Sequence, residues 1–148
     1  MKRFIALILL ILLVAGLAAC GEDYSKRQFD ELGEDFHWDM TVEDAYAYID
    51  ARQIGVKTKI EVDEFDTFTA VNDRYYTFNF DADGNLEFVK INLYGNENKF
   101  RLLKEKYGEY DKYEEDYDGY LWYGTIDGQN TVMAYTKFAG LWLEFKRP

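Results

Sequence analysis

The first pattern in the chain is its only long apolar run. From Phe4 to Ala19 every position is apolar or small, after the basic start "MKR". A membrane-spanning helix needs about 20 consecutive apolar residues. This run is shorter, has a positive front and ends in small residues, so it predicts a secretory signal peptide over residues 1–19. Beyond Cys20 the pattern turns charged. Residues 21–35, "GEDYSKRQFDELGED", carry no clear period and read as a tether, with a short helix around Lys26–Leu32 as the weaker option.

The remaining positions fall into two periods. In "TVEDAYAYIDARQIG", Val42, Ala45, Tyr46 and Ile49 share one helical face. Thr41 with Asp44 resembles a capping box at its start, and Gly55 is placed to end it at positive φ. The period then drops to two. Val56, Ile60 and Val62 alternate with charged residues, and Tyr76, Phe78 and Phe80 alternate with Tyr75, Thr77 and Asn79. "DADGN" (residues 81–85) is a turn, and "LEFVKINLY" is the returning strand of a hairpin. "NENKFRLLKEKYG" predicts a second helix capped by Asn96 or Asn98, with Phe100, Leu103 and Tyr107 on one face and Gly108 at its end. "YLWYGTI", "TVMAYTKF" and "LWLEFK" read as three more strands, the middle one alternating poorly.

The order is therefore helix, three strands, helix, three strands. It predicts an α+β domain over residues 36–148, with the helices packed on one face of an antiparallel β-sheet. A degenerate tandem α-βββ repeat is compatible with that order, although no matching residues support it. The layout resembles that of the β-lactamase inhibitor protein-like family and, more loosely, the small α+β domains of outer-membrane assembly lipoproteins. That likeness is one of element order and implies fold alone.

Composition narrows the picture. The chain holds 13 Tyr and 11 Phe and a net charge of −11. Without residues 1–19 it keeps 15 basic against 28 acidic side chains, net −13. A surface this negative repels nucleic acid and anionic head groups and favours basic partners. Aromatic richness suits strands and not a disordered tail.

Cys20 is the single cysteine. It cannot form an internal disulfide, and a free thiol outside the cell would be reactive. Leu17, Ala18, Ala19 and Cys20 spell "LAAC", which resembles the lipobox of bacterial lipoproteins. The resemblance implies recognition of Leu17–Ala19 by a dedicated signal peptidase, cleavage before Cys20, and lipid on its sulfur. Residues 20–35 would then be a lipidated tether, and the protein would sit lipid-anchored on the extracytoplasmic face of the cell membrane. Gly21 after the cysteine follows a tendency of Gram-positive members of that class.

Candidate chemistry is sparse. His37, the only histidine, could act as a base oriented by Asp35 or Asp39, but no nucleophile motif accompanies it; Ser25, the only serine, lies in the tether. The alternative is that His37 and Trp38 pack over the first helix start, with Asp39 near its positive end. Asp81, Asp83 and Asn85 offer oxygens at alternate positions, yet Gly84 and Asn92 do not fit the calcium-loop pattern, so a turn is favoured. No metal or other cofactor is called for. "YGEYDKYEEDYDGY" is the most unusual segment. Its Tyr107, Tyr110, Tyr113, Tyr117 and Tyr120 could share a helical face, or the segment could lead into a charged edge strand. With Glu114, Glu115 and Asp116 they also form a candidate recognition surface for an envelope protein or peptide. Trp122 and Trp142 are core residues by default and, if exposed together, a glycan platform. The expected function is a noncatalytic binding domain, with glycan or small-ligand binding second and a cell-envelope hydrolase third.

Overall fold

The computed structural model describes residues 21–53, 55, 57–137 and 140–148. The expected signal peptide over residues 1–19, with its Leu17–Ala19 site, and also Cys20 and Val56 lie outside these residues.

Helix α1 (Val42–Arg52) begins with the capping box expected of Thr41 and Asp44. The Asp44 amide donates to Thr41 Oγ1 at 3.2 Å, and the Thr41 amide donates to Asp44 Oδ2 at 2.9 Å. Two amides that the helix would leave without partners are thereby satisfied. The buried face differs from the expected one. Ala45, Tyr48 and Ile49 point inward, while Tyr46 is 48 % exposed. Tyr48 wins the inward position because its ring meets Phe78 (5.2 Å) and Tyr76 (5.7 Å) and its hydroxyl donates to the Leu32 carbonyl at 2.5 Å.

Four strands follow: β1 (Glu61–Glu64), β2 (Phe68–Asn72), β3 (Tyr76–Asp81) and β4 (Leu86–Asn92). Helix α2 (Lys99–Tyr107) comes next, then β5 (Lys112–Glu114), β6 (Gly119–Ile126), β7 (Gln129–Thr136) and β8 (Trp142–Lys146). Each helix thus precedes four strands and not three. The two missed strands have different causes. In β2 both Ala70 and Val71 are buried, which hides the period of two, and β5 is only three residues long. The fold is α+β, dominated by one eight-stranded antiparallel sheet of order β1-β2-β3-β4-β8-β7-β6-β5. Two meanders meet where β4 pairs with β8.

Register sorts the side chains into two sets, because neighbours across a sheet point the same way. One row runs Val71, Phe78, Val89, Phe145, Met133, Trp122, and every member is fully buried. Tyr48 of α1 touches this row at Phe78, and Phe100 of α2 touches it at Trp122, with ring centroids 6.1 Å apart. The adjacent row runs Thr77, Lys90, Glu144, Ala134, Leu121, Lys112 and points the other way.

The tether over residues 20–35 needs correction. Phe29 and Leu32 are each 3 % exposed and belong to the same core as Phe36, Trp38 and the sheet. Residues 27–29 pair with β6: the Phe29 amide donates to the Thr125 carbonyl at 2.8 Å, and the Thr125 amide donates to the Arg27 carbonyl at 2.9 Å. Arg27 then stitches this segment down. Its guanidinium pairs with Asp111 and donates to the carbonyls of Tyr107 (2.7 Å), Tyr123 (3.1 Å) and Glu109 (3.0 Å). Strong local charge masked an apolar pair, Phe29 and Leu32, spaced three apart. A short helical turn is present, but at Tyr24–Lys26 and not over 26–32.

Candidate functional site

The Tyr-rich segment forms no helix. It folds as β5, a 3₁₀ turn (Glu115–Tyr117) and the start of β6, which is the edge-strand reading. Its tyrosines separate. Tyr113 sits opposite Tyr120 in the β5–β6 register, and Tyr110, Tyr113 and Tyr120 cluster with ring centroids 4.9–5.0 Å apart, beside Phe100 of α2. Tyr107 is buried against Phe29. Tyr117 goes the opposite way. Asp118 takes a left-handed conformation (φ 47°), and the Tyr117 ring then folds over Gly119, where a Cβ would lie 2.2 Å from ring carbon Cε2. A glycine at 119 is what lets this ring lie against the sheet.

Tyr117 thereby becomes one wall of a groove of about 650 Å³ on the face of the sheet that carries Lys90, Glu144 and Ala134. Trp142 of β8 lines it too, and Ala134 and Thr136 of β7 are among the small residues within it. Lys90, Glu144 and Lys146 supply its charge, with Lys90 Nζ 3.1 Å from Glu144 Oε2. Lys146 makes no ion pair among the described residues. A second hollow of about 390 Å³ continues the groove past Tyr117, Ala134 and Glu144 to Glu22 and Tyr24. Tyr24 packs on Tyr123 of β6 at 5.3 Å, and its hydroxyl donates to Glu22 Oε2 at 2.6 Å. Burial first, and then the nearby carboxylates of Glu114 and Glu144, push the Tyr117 phenol up, so it is a neutral hydrogen-bonding ring at physiological pH.

The segment's acidic residues Glu114, Glu115 and Asp116 precede Tyr117 in the chain but do not line the groove. Glu114 pairs with Lys112, while Glu115 and Asp116 are exposed. The groove offers two aromatic surfaces, two threonine hydroxyls (Thr77, Thr136) and a cation, which is the equipment of a binding site.

The other candidates resolve individually. Asp35 is engaged by both terminal nitrogens of Arg52, so it does not orient His37, which is exposed. Trp38 is buried beneath it, donating from Nε1 to Thr131 Oγ1 at 3.1 Å. Asp81 closes the "DADGN" turn by accepting from the amides of Asp83 (2.9 Å) and Asn85 (2.8 Å), with Gly84 at φ 83°. Among the described residues no three His, Cys, Asp or Glu side chains gather in a way that could hold a metal ion. Trp122 is fully buried, with Nε1 donating to the Gly108 carbonyl at 2.9 Å, and Trp142 lies on the opposite face. The two tryptophans therefore do not form a platform together.

The groove was legible in one respect that the strand reading passed over. In "TVMAYT" the larger Met133 and Tyr135 alternate with Val132, Ala134 and Thr136, so one face of β7 carries only small side chains. The approach of Tyr117 to that face carried no sequence signal beyond Gly119.

No protein-family model matches the chain, and neither the curated proteins nor the solved structures yield a match.

Proposed function

We propose that this protein is a lipid-anchored, extracytoplasmic, noncatalytic module that binds a protein or peptide in the groove between Tyr117 and Trp142. The observation that carries this reading is the asymmetry of the sheet. The Val71-to-Trp122 row is sealed by Tyr48, Phe100 and the N-terminal aromatics, and the reverse face is left with small residues, the Lys90–Glu144 pair and Lys146 between two aromatic walls. The packed layer of two helices on one face, with the other face open, is part of the proposal. Tyr and Trp are among the side chains that most often dominate binding energy once a partner covers them. Glu114, Glu115 and Asp116, just before Tyr117 in the chain, are the acidic part of this proposed surface, while Tyr110, Tyr113 and Tyr120 belong to the helix side. "LAAC" at Leu17–Cys20 supports the lipid anchor.

The test is affinity capture from detergent-solubilised envelopes on immobilised residues 21–148. Tyr117→Ala or Trp142→Ala is expected to weaken capture at least tenfold, in line with hot-spot losses of about 2 kcal/mol or more. Tyr110→Ala leaves it unchanged. Equal capture by all three variants refutes the groove, and partner retention by the triple Ala variant of Glu114, Glu115 and Asp116 removes these acids from the contact. A glycan reading is favoured by the same two rings. Binding to cell-wall polysaccharide that Trp142→Ala abolishes, with no protein captured, would select it.

A further inference from the structure

The correction of the tether has a geometric result. Between Cys20 and the first docked side chain, Tyr24, stand only residues 21–23, and Glu22 already lines the open face beside Tyr24. At about 3.3–3.6 Å per residue the four steps from Cys20 to Tyr24 reach about 14 Å at most. A domain held that closely rests on the bilayer with the attachment side down, and the attachment side is the one carrying the groove. The chain from Cys20 to Tyr24 thus limits the gap between sheet and membrane surface to about 14 Å, room for one polypeptide layer, which lies about 10 Å from a β-sheet. A folded soluble domain of ordinary size has a radius of gyration of about 13 Å and does not enter such a gap.

We propose that the groove of Tyr117 and Trp142 opens toward the membrane surface and takes an extended extracytoplasmic segment of a protein embedded in that same membrane. This inference rests on the lipid anchor at Cys20 proposed above. The length of chain outside the described residues and the point where it rejoins them place the groove at the height at which such a segment leaves the bilayer. Charge agrees with that occupant. Segments on the extracytoplasmic side are poor in Lys and Arg, and of the groove's charged side chains Lys90 is paired with Glu144, which leaves Lys146, without an ion pair among the described residues, to meet an acidic group of such a segment. Confinement to one surface raises the effective concentration of two membrane-bound partners without any added contact.

The test uses the full lipidated chain. Because Cys20 is acylated, Thr136→Cys in the groove and Glu105→Cys on exposed α2 each introduce one labelling site. Fluorophores there are compared in phosphatidylcholine vesicles containing a lipid with a contact-range quencher on its head group. Severalfold stronger quenching at residue 136 than at 105 is expected; equal quenching overturns the orientation. A photo-cross-linker at Thr136 is then compared in native membranes with and without about a dozen Gly and Ser residues inserted between Gly21 and Glu22. Adducts with integral membrane proteins that fall severalfold on insertion support the proposal. Adducts with soluble proteins or with lipid alone, or no effect of the insertion, overturn it. Membrane partition of the chain against Cys20→Ala is measured first. If both variants stay soluble the anchor reading itself fails, whereas partition with equal quenching leaves the anchor standing and refutes only the orientation.

Discussion

Phe29→Ala separates a docked N-terminal segment from a tether. The Phe29 side chain is 3 % exposed, meets Tyr107 edge-on at 5.3 Å and Phe145 at 6.3 Å, and lies against Gly124, whose added Cβ would fall 2.7 Å from Phe29 Cζ. Truncating a buried Phe costs about 3–5 kcal/mol, combining lost transfer energy with the cavity left behind. The two aromatic contacts belong to the upper part of that range, since an edge-on pair adds about 0.5–1.5 kcal/mol beyond area. Residues 27–29 are also held by backbone pairing to Thr125, which limits collapse into the cavity. In urea, with a slope of about 2 kcal/mol per molar, a loss of about 4 kcal/mol moves the midpoint down by about 2 M. Equilibrium unfolding of residues 21–148 followed by tryptophan fluorescence reads this directly. Gln28→Ala, at an exposed neighbouring position, is expected to stay within about 0.5 kcal/mol of the parent. A Phe29→Ala midpoint shift below about 0.25 M would refute the packing of this segment and restore the tether.

Thr131→Val leaves the buried Trp38 indole N–H without its acceptor and is expected to cost about 1–3 kcal/mol, seen as a lower melting temperature, whereas Thr131→Ser stays near the parent. Glu31 is half-buried; burial pushes its carboxyl up, but the Lys99 and Lys106 ammoniums more than offset this and hold it below the usual carboxylate range. A depressed folded value means stabilisation that is complete above the ordinary Glu range and lost as pH falls through the folded value. Glu31→Gln is therefore less stable at neutral pH and loses less stability on acidification, measured by urea midpoints from about pH 7 to about pH 3. Gly119→Ala places a Cβ 2.2 Å from the Tyr117 ring, which must swing off the groove. Stability is expected to change by under about 1 kcal/mol, while capture falls as it does for Tyr117→Ala; unchanged capture would refute the role of that ring.

The helices and most strands were legible because their signals are local. Thr41 and Asp44 write the capping box into four consecutive residues, Gly108 ends α2 at φ 82°, and "DADGN" closes a hairpin through bonds that Asp81 makes to its own neighbours. The errors arise where a distant partner decides. Tyr46 and Tyr48 are equivalent by helical propensity, and only Phe78 and the Leu32 carbonyl select Tyr48 for burial. β5 exists because Lys112, Tyr113 and Glu114 find Leu121, Tyr120 and Gly119 across the sheet, not because three residues carry a strand pattern. Within the Tyr-rich segment, spacing alone placed five rings together, whereas the turn at Asp118 sends Tyr117 to one side of the sheet and leaves Tyr110, Tyr113 and Tyr120 on the other.

By itself the sequence determined what depends on residues close along the chain: the apolar opening run and its change to charged residues at "LAAC", the capping box of the first helix, the turns, the alternation of most strands and the α+β class. Tertiary structure decided what depends on residues brought together from far apart. It joined β4 to β8, drew Phe29 and Leu32 out of a charged stretch into the core, and set Tyr117 between a hollow lined by Trp142 and a second one lined by Tyr24. The physical reason is that caps and turns are satisfied by neighbours within a few residues, whereas burial is shared among side chains whose meeting only the completed sheet register fixes.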